Sequence, residues 1–173
     1  MTRLPIERDW SGLPLAAAEQ AWIAFERAGE QLDVAFDAPY FGDPPPPTAA
    51  GPTPGLWEFE VIELFIAGPG EEYLELEFGP HGHYLVLQLC GVRKAKPQPS
   101  PSALPLTYTV QIEGGRYRGR AQVPMSYLPD RSVRVNAYTI HGQAGARRYA
   151  AHAPVAGARP DFHRLECFVP LGW

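Results

Sequence analysis

The chain has 173 residues, 45% of them hydrophobic and 20% charged, with a net charge of −4. That length fits one domain over residues 1–173, able to bury about 70% of its unfolded surface. The acidic balance argues against nucleic acid, which wants a basic face, and no apolar run reaches the roughly 18 residues of a membrane helix. Cys90 and Cys167 sit in apolar sequence and no secretory signal opens the chain, so buried free thiols and a cytoplasmic location are expected. The 20 prolines and 17 glycines disfavour long helices.

In chain order, Gln20 to Arg27 and Gln31 to Phe36 read as two strands of a hairpin around Ala28-Gly29-Glu30. Residues 44–55 form a proline-rich loop. Trp57 to Ile66 has the composition of a strand, with Trp57, Phe59, Val61, Glu63 and Phe65 on one face. Tyr73 to Phe78 alternates, with Leu74, Leu76 and Phe78 inward and Tyr73, Glu75 and Glu77 outward. Tyr84 to Cys90 is apolar on both faces, as a central strand is. A second proline-rich loop follows at Pro97 to Pro101, with the solvated charges Arg93, Lys94 and Lys96 before it. Leu106 to Ile112 turns at Gly114-Gly115 and returns as Tyr117 to Val123. Pro124 to Pro129 holds a helical turn, and Val133 to Ile140 and Arg147 to Ala151 are further strands. About eight to ten short strands between turns predict an all-β, antiparallel β-sandwich or barrel.

Glu63 stands out among the carboxylates because its neighbours are apolar. Such a group must be paired, hydrogen-bonded or facing a wet cavity. It fits a raised-pKa acid or base, an acceptor for ligand hydroxyls, or a partner for an arginine. Glu58, Glu60, Glu75 and Glu77 read as a solvated sheet face. His81 and His83 flank Gly82, which is too little for a zinc site. No HExxH, CxxC, GxGxxG or P-loop pattern occurs, so no metal or cofactor is expected. Trp57 either caps the core or presents its indole at a loop edge, where it can stack on a sugar ring. Asn136, Arg93, Tyr138 and Arg147-Arg148 supply polar partners. Six residues of straight strand span roughly 20 Å, so Trp57 and Glu63 share one small ligand only if Trp57 belongs to the preceding loop. The Pro54-Gly55 approach allows that.

Several segments together resemble one family, which includes a human chromosome 4 open-reading-frame protein and many bacterial proteins. They are Ala38 to Pro45, Leu56 to Glu63, Tyr73 to Glu77, Pro80 to Leu87, Asn136 to Gly142 and Pro160 to Glu166. The match runs in order through nearly the whole chain and implies membership, not an activity. More distantly, the order of Trp57, Glu63, Tyr73-x-Glu75-x-Glu77 and Asn136 resembles family 9 carbohydrate-binding modules, which are DOMON-like β-sandwiches of jelly-roll type. That resemblance implies a stacking role for Trp57, hydroxyl binding by Glu63 and a polar contact from Asn136. Tyr138 or Tyr149 would stand in for a second stacking tryptophan.

The expectation is therefore a non-catalytic module for a carbohydrate or other polyhydroxylated small molecule, without nucleic acid or membrane partners. Its ligand-binding residues would be Trp57, Glu63, Arg93, Asn136, Tyr138 and Tyr149. One alternative is a sugar-active enzyme using Glu63 with His81, His141 or His163. Another is a haem or metal binder, since some DOMON-like proteins use Met and His ligands. Met125 is the one internal methionine for that role.

Overall fold

The computed structural model describes residues 1–97, 104–155 and 157–172. Its strands are β1 (Thr2–Ile6), β2 (Arg8–Asp9), β3 (Ala21–Ala28), β4 (Gln31–Pro39), β5 (Gly51–Pro52), β6 (Val61–Ala67) and β7 (Glu72–Phe78). They continue as β8 (His83–Cys90), β9 (Thr107–Glu113), β10 (Arg116–Pro124), β11 (Arg134–His141), β12 (Arg148–Ala151) and β13 (Val169–Pro170). One sheet has the order β1-β3-β4-β10-β9. The other runs β2-β12-β11-β6-β7-β8-β5, with β13 also pairing β11. The ladders are antiparallel apart from β5 with β8. The protein is an antiparallel β-sandwich, as the spacing of strands and turns predicts.

Period-two alternation builds the core between the sheets. Phe25, Val34, Phe36 and Tyr117 from the first sheet meet Ile62, Leu64, Leu76 and Phe78 from the second. Phe36 joins the two sheets, its ring centroid 5.5 Å from that of Phe78. It lies across Gly119, its partner on β10, where any Cβ would run into the ring.

The hairpin at Gln20 to Phe36 forms as β3 and β4, and the Gly114-Gly115 hairpin as β9 and β10. Four expectations are corrected. The strand read at Trp57 to Ile66 begins only at Val61; Gly55, at φ 76°, starts a turn of 3-10 helix over Leu56–Glu58. β8 is not central, because β5 covers it only at His83 and Tyr84; its two apolar faces reflect a second core outside the sandwich. The cysteines are free but only half-buried. Arg93 and Lys96 are not loose solvated charges, since they pair with Asp161 and Glu72. Of the second proline-rich loop, all but Pro97 lies outside the described residues.

The second core lies on the outer face of the larger sheet. Phe65, Tyr73, Leu85, Leu89 and Tyr138 point outward there, and the tail packs over them through Val155, Phe162, Leu165 and Phe168. A tail that covers part of a sheet face leaves a hollow where it stops.

Candidate functional site

The hollow is floored by β6 and β7. Alternation sends Glu63 and Phe65 outward from β6, and Glu75 and Glu77 outward from β7. Glu63 stands opposite Glu77 on one side and Tyr138 on the other, and Phe65 stands opposite Glu75. Directly opposed residues place their Cβ atoms about 5 Å apart. Three carboxyl groups are thus held together under the tail, at 1% exposure for Glu63, 3% for Glu75 and 0% for Glu77.

Over this floor opens a cavity of about 450 Å³. Its walls are Trp57 and Glu58 from the 3-10 turn, Leu87 and Leu89 from β8, Ile140 and Tyr149 from β11 and β12, and Pro160 to His163 from the tail. Arg93 and Arg147 stand at its edges. Arg93 bridges to Asp161 Oδ1 at 2.7 Å. Arg147 donates to the Glu58 carbonyl at 2.5 Å and to the Trp57 carbonyl, fixing the 3-10 turn from the opposite wall. Trp57 itself remains 43% exposed, its indole N–H donating to Glu58 Oε1 at 3.2 Å.

Behind the carboxyls runs a short relay. The Arg93 backbone N–H donates to the Tyr73 hydroxyl at 3.0 Å, and that hydroxyl is 2.7 Å from His163 Nδ1. A neutral His163 accepts the Tyr73 proton at Nδ1, leaving Nε2 as its donor. His163 Nδ1 is also 4.0 Å from Glu75 Oε2.

Burial dominates the electrostatics. It pushes Glu75 up to about 7, against the opposing influence of the neighbouring Glu77 carboxyl and the charge of Arg93. Glu63 rises well above the carboxylate range through burial and the charge of Glu75, with Arg147 opposing. Glu77 rises likewise through burial and the charges of Glu63 and Glu75. Burial and Arg93 lower His163 to about 4, and burial raises Tyr73 to about 12. Burial and its acidic neighbours therefore favour the protonated form of Glu77. Glu75 Oε2 and both Glu77 oxygens meet no hydrogen-bond partner among the described residues.

Of the residues singled out in the sequence, Trp57, Glu63, Arg93, Tyr149 and His163 line this cavity. Asn136 and Tyr138 do not. Asn136 is fully buried, donating to the Tyr138 hydroxyl at 2.8 Å and the Ala153 carbonyl at 2.9 Å while accepting from Ala137 and Ala153. Tyr138 lies under the tail, its ring stacked 3.8 Å from Phe162. Both lock the tail to β11, so their outward position on the sheet does not reach the ligand space. His81 meets Tyr40, and His141 stacks 3.5 Å from Phe41. Neither lines the cavity. Met125 packs against the inter-sheet core and does not line it either.

The solvated face expected for Glu60, Glu75 and Glu77 is overturned, while Glu58 is exposed. Glu60 accepts the N–H groups of Phe41 and Asp43 at 2.8 and 3.1 Å. That pins the Tyr40-Phe41-Gly42-Asp43 segment to the second sheet, and Asp43 in turn accepts from Gly142 N–H at 2.5 Å. Glu75, Asp161 and Phe162 are site residues that sequence reasoning missed. The signal was the tail, whose Pro160-Asp161-Phe162-His163 run ends a chain otherwise made of strands.

Fold and site together define a class: an antiparallel β-sandwich with a carboxyl-floored cavity on the outer face of its larger sheet. No family model matches the chain. It is 37% identical over 172 residues to the zebrafish UPF0462 protein C4orf33 homolog, covering 94% of this chain and 85% of that one. It is 36% identical over 172 residues to human UPF0462 protein C4orf33, covering 94% of this chain and 84% of that one. The chain belongs to the UPF0462 family. These relatives are vertebrate, which conflicts with a bacterial setting for the chain. Among solved structures, a candidate carbohydrate-binding protein from Bacteroides uniformis aligns over 97% of this chain and 84% of its own, with a TM-score of 0.74 and 15% identity. A family 9 carbohydrate-binding module from Caldicellulosiruptor kristjanssonii, solved with glucose, aligns over 86% of this chain and 72% of its own. Its TM-score of 0.48 at 13% identity is too remote to carry an argument.

Proposed function

We propose that the protein is a non-catalytic module that binds a small polyhydroxylated molecule, a carbohydrate first of all, in the cavity over β6 and β7. The observation that carries this reading is the pairing of exposed Trp57 with buried carboxyls in one hollow. An indole at the rim offers a flat apolar surface to one face of a sugar ring. Carboxyl oxygens without donors accept hydroxyl hydrogens that water cannot easily supply at such burial. A volume of about 450 Å³ suits one or two sugar rings. The Bacteroides neighbour, at 15% identity, supports the sandwich alone, so the ligand rests on the cavity. The deciding experiment is a thermal-shift screen of mono- and disaccharides with wild type and Trp57→Ala. A sugar that raises the melting temperature of the wild type but not of the variant supports the reading; the absence of any such sugar ends it.

A second reading, a sugar-active enzyme, has one observation in its favour. Glu75, raised to about 7 beside neutral His163, is poised to move a proton near neutral pH. Turnover of chromogenic glycosides that is abolished by Glu75→Gln would establish it.

A further inference from the structure

Hydrogen-bond donors are too few in the cavity proposed as the binding site, a reading on which this inference rests, and that shortage bears on which polyhydroxylated molecule is taken. The two arginines of the cavity are already engaged, Arg93 with Asp161 and Arg147 with two backbone carbonyls. The carboxyl floor has no such partner. Neither Glu63 nor Glu77 forms an ion pair among the described residues; Arg93 and Arg147 act on Glu75 and Glu63 without pairing with them, and His163, 4.0 Å from Glu75 Oε2, is uncharged at neutral pH. Glu75, almost wholly buried, lines the hollow with its Oε2 unpartnered, and Glu77, also unpartnered, lies beside it behind the cavity wall.

A neutral hydroxyl satisfies one lone pair of such a floor and leaves Glu75 no reason to ionise. An ammonium group supplies three donors and a positive charge that favours the ionised form of the carboxyl it meets. Phe65, Tyr149 and Phe162 also line the cavity, and Arg147, 5.8 Å over the Tyr149 ring, shows that a cation is accommodated beside these aromatics. A bare metal ion fits poorly, because no group of three or more His, Cys, Asp or Glu side chains among the described residues is placed to hold one.

We propose that the ligand is an ammonium-bearing polyhydroxylated molecule of the amino-sugar class, with its ammonium seated on Glu75 and the adjoining Glu63, the two buried carboxyls that line the cavity. Seating a cation there displaces a proton from the carboxyl cluster. The groups facing Glu75 are Glu63 from β6, Glu77 and Tyr73 from β7, and His163, Arg93 and Asp161 from the covering loops. Tyr73 and His163 stay neutral across pH 5 to 9. The carboxyl cluster therefore supplies the proton, and affinity rises with pH through about 7. It falls again once the ligand amine loses its own proton.

The test is isothermal titration of the full chain with glucosamine, galactosamine and mannosamine. Their parent hexoses and N-acetyl derivatives serve as controls. Each is run at pH 6, 7 and 8 in two buffers of different ionisation enthalpy. At least one free amine should bind about tenfold tighter than its parent and its N-acetyl form. Its measured heat should differ between buffers by the released proton. The advantage should drop below about threefold in Glu75→Gln, which removes a crowded charge and should fold at least as well as wild type. Equal or tighter binding of the neutral sugars overturns this inference and leaves the binding reading standing. An amine preference that survives Glu75→Gln overturns the seat. Failure of every sugar, charged and neutral, overturns both.

Discussion

Replacing Glu75 by glutamine should stabilise the protein at alkaline pH and leave it unchanged in acid. The folded-state pKa of Glu75 is raised, so the native state prefers the protonated carboxyl. Below the ordinary value of 4.5 the group is protonated whether the chain is folded or not, and it imposes no penalty. Between 4.5 and about 7 the unfolded chain ionises first, so the wild type loses stability as pH rises; above about 7 the loss is complete. At about 1.4 kcal/mol per pH unit this rise corresponds to about 3 kcal/mol. It is an upper figure, since Glu63 and Glu77 influence the same titration. His163 works in the opposite direction. Its pKa is lowered to about 4, so it adds stability as pH rises from about 4 through its ordinary 6.5. Both proteins contain it, and the difference between them largely cancels it. Urea denaturation midpoints from pH 4.5 to 8.5 provide the measurement. The variant-minus-wild-type difference should grow from near zero to about 3 kcal/mol in favour of glutamine. A difference that is flat with pH, or that favours glutamate at pH 8.5, refutes the reasoning.

Two further outcomes test the frame around the site. Asn136→Ala removes donors to Tyr138 and Ala153 and an acceptor for Ala137 and Ala153, and should cost about 2–4 kcal/mol in chemical denaturation while leaving ligand affinity unchanged. A variant of wild-type stability that has lost its ligand would return Asn136 to the binding site. Gly119→Ala drives a methyl into the Phe36 ring and should lower stability by about 1–3 kcal/mol, read as a shift in the denaturation midpoint. An unchanged midpoint would mean that Phe36 can move without disturbing Phe78.

The sandwich was legible where alternation and turn residues agree. Gln20 to Phe36 around Gly29, and Thr107 to Pro124 around Gly114-Gly115, fold as their patterns require. β1 was missed because Pro5 reads as a strand breaker. At the sheet edge its missing N–H costs nothing, while Leu4 and Ile6 still face the core. Glu75 and Glu77 were misread for a different reason. Alternation tells which side of a strand a residue takes, but not what covers that side. The cover comes from Phe162, Leu165 and Phe168, far along the chain, and no local pattern encodes that packing. Trp57 and Glu63 were recognisable as candidates, and the distance argument that moved Trp57 into the preceding loop agrees with the strand starting at Val61. Asn136 looked like a ligand contact because its outward position is real; the tail occupies it first.

Arg147 holds the main chain at Trp57 and Glu58, not the indole. The rim is therefore a socket whose position does not depend on the side chain it presents. Phenylalanine, tyrosine or a polar residue at position 57 would stand over the same carboxyl floor at the same height. Ligand preference can then drift by exchange of one exposed side chain, while the wall, the floor and the sandwich beneath keep their shape.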